Sequence, residues 1–311
     1  MATLREIRRR ISGVKSTQKI TKAMKMVAAA KLRRSQDAVI AARPYARKMK
    51  ELLQQLSAVV DVTAQPLFAS REVKNVAIIV VTADRGLCGA FNANIIRAAV
   101  HHIRTQYADL QAAGNVKLIV IGKKGHDFFF KNEYHIAEKH LGIFSALNFS
   151  KAQEIAGEFV RRYLRGEYDR VQVVYNEFKS IVHQKLVIDQ LLPIPDHTAP
   201  QPSGTDAAKS QPKEESHAGG KAGIDYIYEP SGAEIISALL PKHLNFQLWK
   251  VLLESNAAEQ GARMTAMDNA TTNASDMIRE LQLSYNNARQ ASITKELLEI
   301  VSGAEALKQA N

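Results

Sequence analysis

The chain is poor in the residues that announce most kinds of chemistry. Its 311 residues hold a single cysteine, Cys88. That rules out an intrachain disulfide or a cysteine-based zinc site, and it fits a reducing compartment without requiring one. No run of eighteen apolar residues occurs, and the N-terminus opens on Arg5, Arg8, Arg9 and Arg10, with no apolar signal core behind a short basic stretch. Neither a spanning helix nor an export signal is therefore expected. Nine histidines include the pair His101-His102, but no H-E-x-x-H or other metal spacing, and none stands near Cys88 in sequence to activate it. The glycines at 86 and 89 do not make G-x-G-x-x-G, and Gly122-Lys-Lys-Gly125 lacks the spacing and the Ser/Thr of a P-loop. No active site, cofactor site or metal site is expected, and the glycines after residue 85 read as a sharp strand-to-helix turn.

What is present is charge of one sign in one place. The formal net charge is +11. Residues 1–50 carry fifteen Lys and Arg against Glu6 and Asp37, a local +13 that leaves −2 for the rest. Three readings fit such a segment: a solvated helix face, a nucleic-acid arm, or a surface for acidic protein partners. Against nucleic acid, no aromatic precedes Tyr45 and neither a zinc-finger spacing nor a zipper accompanies the basic region.

Residues 3 to about 57 contain one proline, Pro44, and one glycine, Gly13, among Ala, Lys, Arg, Met, Leu and Gln. The composition predicts one long helix. Its apolar seam starts as Leu4, Ile7, Ile11 and Val14 and is expected to re-phase after Gln18 to Ile20, Met24 and Val27. A second long helix is predicted over residues 231 to about 308, with a kink or restart at Pro241 and soft points at Gly261 and Gly303. From Met264 its seam runs Met267, Thr271, Ala274, Ile278, Leu281, Tyr285 and Ala288. The two helices, about 80 Å and 115 Å at the usual rise, are expected to form an antiparallel coiled coil.

Between them, 70–195 reads as a Rossmann-like α/β domain. Strands are predicted at 75–82 (NVAIIVVT), 116–122 (VKLIVIG) and 170–175 (RVQVVY), with a further one at 182–190 ending before Pro193. Helices are predicted at 91–111 and 150–165. The chain thus divides into a coiled-coil helix (1–60), the α/β domain (70–195), a Pro/Gly/Ser-rich flexible insertion (196–223), and a foot segment with the second helix (224–311).

The stretch 281–306, with its core Ile293-Thr294-x-Glu296-x-x-Glu299-x-x-x-Gly303-Ala304, closely resembles the signature of ATP synthase gamma subunits. So do STQKITKAMKMVAAAKLRRSQ (16–36) with ARPYA (42–46), TADRGLCGAFN (82–92) and DYIYEPS (225–231), in the family's order. The resemblance implies a non-catalytic rotor of a proton-translocating complex, its helices forming a shaft inside a ring of three alpha and three beta subunits. It carries hexamer contact over to Met24, Lys25, Arg85, Cys88, Arg263, Arg289, Gln290, Thr294 and Glu299. Arg43, Tyr45, Tyr226, Tyr228 and Glu229 resemble the foot that grips the c-ring and the epsilon subunit. It also implies a peripheral place on the cytoplasmic face of a bacterial inner membrane, since no transit peptide precedes the first helix. The tract 196–223 is similar in position to the regulatory insertion of photosynthetic gamma subunits. It contains no cysteine, which excludes dithiol control. Without the resemblance, a basic coiled-coil nucleic-acid-binding protein is the alternative, and a dinucleotide-dependent enzyme lacks its glycine pattern.

Overall fold

The computed structural model describes residues 3–59, 65–181, 183–195, 229 and 231–309. Two long helices, α1 (Leu4–Val59) and α6 (Gly232–Gln309), run antiparallel at the chain's ends. Cross-helix hydrogen bonds fix their register: Gln18 to Ser275, Thr21 to Thr271, Lys25 to Asp268 and Asn256 to Ser35. Carried one way, that register sets Leu4 opposite the turn around Ala288. About twenty residues of α6 then project past the start of α1, roughly 30 Å of unpaired helix. Exposed Ile293, Leu297, Ile300 and Val301 lie on that projection.

On α6 the predicted seam holds, with Met267 and Ala274 buried and Thr271, Ile278, Leu281, Tyr285 and Ala288 half-buried. On α1 it does not re-phase. The heptad begun at Leu4 continues without a break through Gln18, Thr21, Lys25, Ala28, Leu32 and Ser35, while Ile20 and Val27 stay 60% and 56% exposed. Thr21 satisfies its hydroxyl against Thr271 Oγ1 at 2.8 Å, so a polar residue occupies a seam position without an orphaned donor. Ala28, 1% exposed, sets the close approach of the two backbones. Ala28→Leu should therefore destabilise the chain by about 1–3 kcal/mol through overpacking. Ile20→Ser should stay within about 0.5 kcal/mol, although the plain apolar pattern predicts the opposite ranking. Thermal unfolding of the two variants decides between the seams.

α6 continues through Pro241 without interruption, so the expected restart is absent. Gly261 lies where α6 crosses the tip of the sheet, where a Cβ would meet the Phe178 ring at 3.3 Å.

The excursion between the helices is a five-stranded sheet: β1 (Val76–Val81), β2 (Val116–Ile121), β3 (Ile136–His140), β4 (Arg170–Phe178) and β5 (Gln184–Leu192). The order is β3-β2-β1-β4-β5, parallel except for β5, which pairs antiparallel with β4. Every residue of β1 is buried, because both sheet faces are covered; this is why it reads as an unbroken apolar run. One face packs on α2 (Phe91–Gln106) and α4 (Lys123–Lys131), through Phe91, Ile95, Ile103 and Phe129. The other packs on α5 (Phe149–Leu164), the start of α6 and the end of α1, through Phe159, Leu240, Leu248 and Leu56. The domain is thus sewn to the shaft by its own core.

Three elements differ from expectation. The helix predicted over 91–111 breaks at Tyr107, with α3 (Ala108–Ala112) following. β3 and α4 were not predicted at all. β3 is an edge strand of sequence IAEKH with only partial burial and no apolar alternation, and α4, although amphipathic, spans only nine residues with its apolar side chains bunched at Phe128, Phe129 and Phe130. The tract 196–223 lies outside the described residues.

Candidate functional site

The crevice at the carboxyl ends of the strands, where open α/β sheets bind ligands, is built shut. Between β1 and β4 the strand order reverses, and α6 occupies that position. Gln184 Nε2 donates to Ala258 O at 2.8 Å, and Arg263 donates to the carbonyls of Gly86 and Arg85 in the turn after β1. The turn is also locked from inside. Asp84 Oδ1 accepts the backbone N–H groups of Lys123 at 3.1 Å and Gly142 at 2.9 Å, joining the loops after β1, β2 and β3. Lys123 is the first residue of α4, so a side-chain carboxylate of the chain itself stands where the helix would receive an anionic ligand. Thr82 Oγ1 donates to Ile121 O and accepts from Gly125 N, and Asn92 Oδ1 accepts from Ala83 N. The residues DRGLCG thus serve as a rigid corner. Among the described residues no cluster of His, Cys, Asp and Glu has metal-binding geometry.

Cys88 is part of that corner, 1% exposed, with Asn92 Nδ2 donating to its sulfur at 3.2 Å. Burial pushes its thiol pKa up, so it is neither a ready nucleophile nor a surface group. What the corner does present is Arg85 and Leu87, the latter 66% exposed with φ +64°. Arg263 is also withdrawn. Its side chain is 11% exposed, hydrogen-bonded to the turn and paired with Glu259, itself 7% exposed. Burial raises the Glu259 carboxyl despite that arginine.

The structure does bring Met24, Arg85 and Arg263 to one groove of about 530 Å³, together with Ile20, Val27 and Phe144. Lys25 points to the neighbouring face and pairs with Asp268 at 2.6 Å. Arg289, Gln290, Thr294 and Glu299 are all exposed on the projecting end of α6, with Glu299 3.7 Å from Lys295. That end lies some 45 Å along the helix from Arg263, so the predicted contacts form two surfaces. At the opposite end Arg43 and Glu229 are exposed, and Tyr45 is 49% exposed with its ring 4.8 Å from Phe246. Tyr226 and Tyr228 lie outside the described residues. Sequence reasoning missed Leu87, Ile20 and Val27 as outward apolar groups. Leu87 follows a turn glycine, and the other two fit a seam by hydropathy alone.

Glu254 is the other buried carboxyl among the described residues of α6, 7% exposed, and burial raises it because Lys250, at 3.6 Å, does not offset the lost hydration. A raised folded value means that stability falls as pH climbs above the ordinary carboxylate value of 4.5, since the unfolded chain ionises first. Glu254→Gln should flatten that decline, which melting temperatures taken from pH 4 to 8 would show.

The profile of the ATP synthase family matches residues 3–307. Over 310 residues the chain is 56% identical to the ATP synthase gamma chain of Chloroherpeton thalassium, covering 99% of each. The chain belongs to the ATP synthase gamma-chain family. A second gamma chain, from Chlorobaculum tepidum, is 56% identical over 99% of this chain and all of its own length. In fold, this gamma-family chain matches a chain of the Euglena gracilis mitochondrial ATP synthase in rotational state 3, with TM-score 0.64 and 21% identity over 98% and 94% of the two. It also matches one in the central stalk and c-ring of the Tetrahymena thermophila mitochondrial enzyme, with TM-score 0.56 and 22% identity over 81% and 99%. As a gamma-family chain it is a non-catalytic subunit, the rotor of the central stalk, which agrees with the locked turn and filled crevice. The nucleic-acid alternative finds no support in these likenesses.

Proposed function

We propose that this rotor couples through two surfaces: the projecting end of α6, bearing Arg289, Gln290, Thr294 and Glu299, and the groove-side face around Met24 and Arg85. Both address the alpha and beta subunits. The observation that carries the reading is the register of the coiled coil, which leaves one helix alone where two would fill a bearing more evenly. A single off-axis helix makes different contacts with each of three surrounding sites, and only differential contact can bias their conformations. The foot, with Arg43, Tyr45 and Glu229, is assigned to the c-ring and epsilon. No helix among the described residues is long and apolar enough to cross a membrane. The chain would therefore be peripheral, at the cytoplasmic face of a bacterial inner membrane, and touch it only through the c-ring.

The test is reconstitution of the purified chain with alpha and beta subunits from the same source. A complex of one chain with three of each and stimulated ATP hydrolysis is the expected result; a chain that sediments alone and leaves hydrolysis unchanged sinks the reading. Arg289→Ala should lower hexamer affinity about tenfold or more, the worth of a charge-assisted hydrogen bond. The basic face supplies attraction of a less directed kind. Neutralising Lys15, Lys19 and Lys22 together should lower affinity and flatten its salt dependence, leaving the fold intact.

A further inference from the structure

A groove of about 730 Å³ runs between α1, α6 and the β4–β5 hairpin, away from the Met24 groove and the projecting helix end and reaching Arg43 of the foot. Its apolar lining comes from Leu32 and Ile40 on α1 and from Phe178 and Ile181 at the hairpin, with Ile40 58% and Ile181 40% exposed, and it is interrupted by charged side chains of both signs on the two elements. At its base lies Glu254, 7% exposed, whose Oε2 is buried and has no hydrogen-bond partner. An unpaired carboxylate oxygen in such a place is costly unless something arrives to meet it. The cations around it do not reach that oxygen: Lys250 Nζ stands 3.6 Å from the other one, Oε1, and Lys179 Nζ is bound to Glu177 at 2.8 Å. Arg33, by contrast, is exposed among the residues lining the groove. The buried carboxyl thus lies beside an apolar patch whose α1 side carries two exposed arginines, Arg33 and Arg43, against one exposed carboxylate, Asp37.

We propose that this groove receives a segment of another subunit of the complex that inserts a lysine or arginine side chain against Glu254, with apolar neighbours on Ile40 and Ile181 and an acidic residue facing Arg33. The long aliphatic stem of such a side chain suits the walls while its head reaches the carboxylate. A cation seated there meets the oxygen that Lys250, beside Oε1, leaves without a partner, so the contact is a desolvated ion pair, the kind whose truncation weakens binding most. The proposal rests on the assembly reading above.

The experiment places a photo-crosslinking phenylalanine at Ile181 in the chain and purifies the assembled ATP synthase through a tag on that chain. Retained ATP hydrolysis by the complex shows that assembly stands; a chain recovered without other subunits defeats the assembly reading and this one with it. In the intact complex, illumination should join position 181 to one subunit segment that carries a Lys or Arg within a few residues of the mapped site. Glu254→Gln, which keeps the shape and removes the charge, should cut the crosslink about tenfold, as expected for a lost buried pair. Arg33→Glu, at an exposed position, should cut it several-fold by opposing the acidic neighbour. A label that reacts only with solvent in the intact complex, as an empty groove or a small free cation would leave it, overturns the proposal. So does a mapped segment without a basic residue, or a yield unchanged by Glu254→Gln.

Discussion

Gly122→Ala should abolish folding of the α/β domain. Gly122 leaves β2 with φ +97°, and a Cβ there would stand 2.0 Å from the carbonyl oxygen of Thr82 and 2.7 Å from its carbonyl carbon. Neither neighbour has room to retreat. Thr82 N donates to Ile121 O at 2.8 Å, and Gly122 N donates to His140 O at 2.9 Å, so the glycine is wedged between the ends of β1 and β3 by the sheet's own ladder. Relieving the clash means separating parallel strands at the centre of the core. The cost should exceed about 5 kcal/mol, comparable to the whole stability of a domain. Full-length Gly122→Ala chain should appear in the insoluble fraction, or show helix without a cooperative melt of the sheet. Gly13→Ala is the natural control. It lies inside α1 with nothing within 4 Å of a built Cβ, and should stabilise the helix by about 0.5–1 kcal/mol. A Gly122→Ala chain that melts within a few degrees of the parent would contradict the geometry.

That position shows what the sequence could and could not convey. The glycines after β1 were legible as a turn signal, whereas Gly122 read as the last residue of a strand; the apolar runs gave β1, β2 and β4 at once, because strands buried on both faces need no alternation. β3 was not legible, since an edge strand with partial burial can be as mixed as IAEKH. The α1 seam misled for a physical reason. In a coiled coil held by close approach, the seam wants small or reciprocally bonded residues, and Thr21, Ala28 and Ser35 meet that need while looking less apolar than Ile20 and Val27. The exposed site residues at the end of α6 came from a resemblance, and periodicity alone offers no reason to single out Arg289 or Thr294. The withdrawn ones, Cys88 and Arg263, could not be recognised as buried, because their partners lie 4 and 177 residues away or are backbone carbonyls with no sequence mark.

Arg263→Met should be the most damaging single change on the shaft. The guanidinium is the tie between α6 and the corner after β1, donating to the carbonyls of Gly86 and Arg85 while pairing with Glu259. Removing it leaves the Gly86 carbonyl without that donor and the Arg85 carbonyl with only the Cys88 thiol at 3.8 Å, and it takes the cation from a carboxyl that is 7% exposed and keeps only Gln260 Nε2 at 3.3 Å. Breaking one side of a buried pair costs about 3–5 kcal/mol, much of it the penalty of the charge left behind. Glu259 then stays ionised only at the expense of folding, so its protonation should be favoured further and the variant's stability should fall more steeply than the parent's as pH rises above 4.5. The double variant Glu259→Gln, Arg263→Met separates the two losses. If the stranded charge dominates, the double variant should recover most of the stability at neutral pH; if the carbonyl contacts dominate, it should recover little. Either way the corner loses its anchor, and Arg85 and Leu87 lose the fixed position that the coupling proposed above requires of them. Thermal unfolding gives the energies. Limited proteolysis within 84–89 gives the consequence for the surface, and an Arg263→Met chain as stable and as resistant as the parent would mean that the corner holds itself.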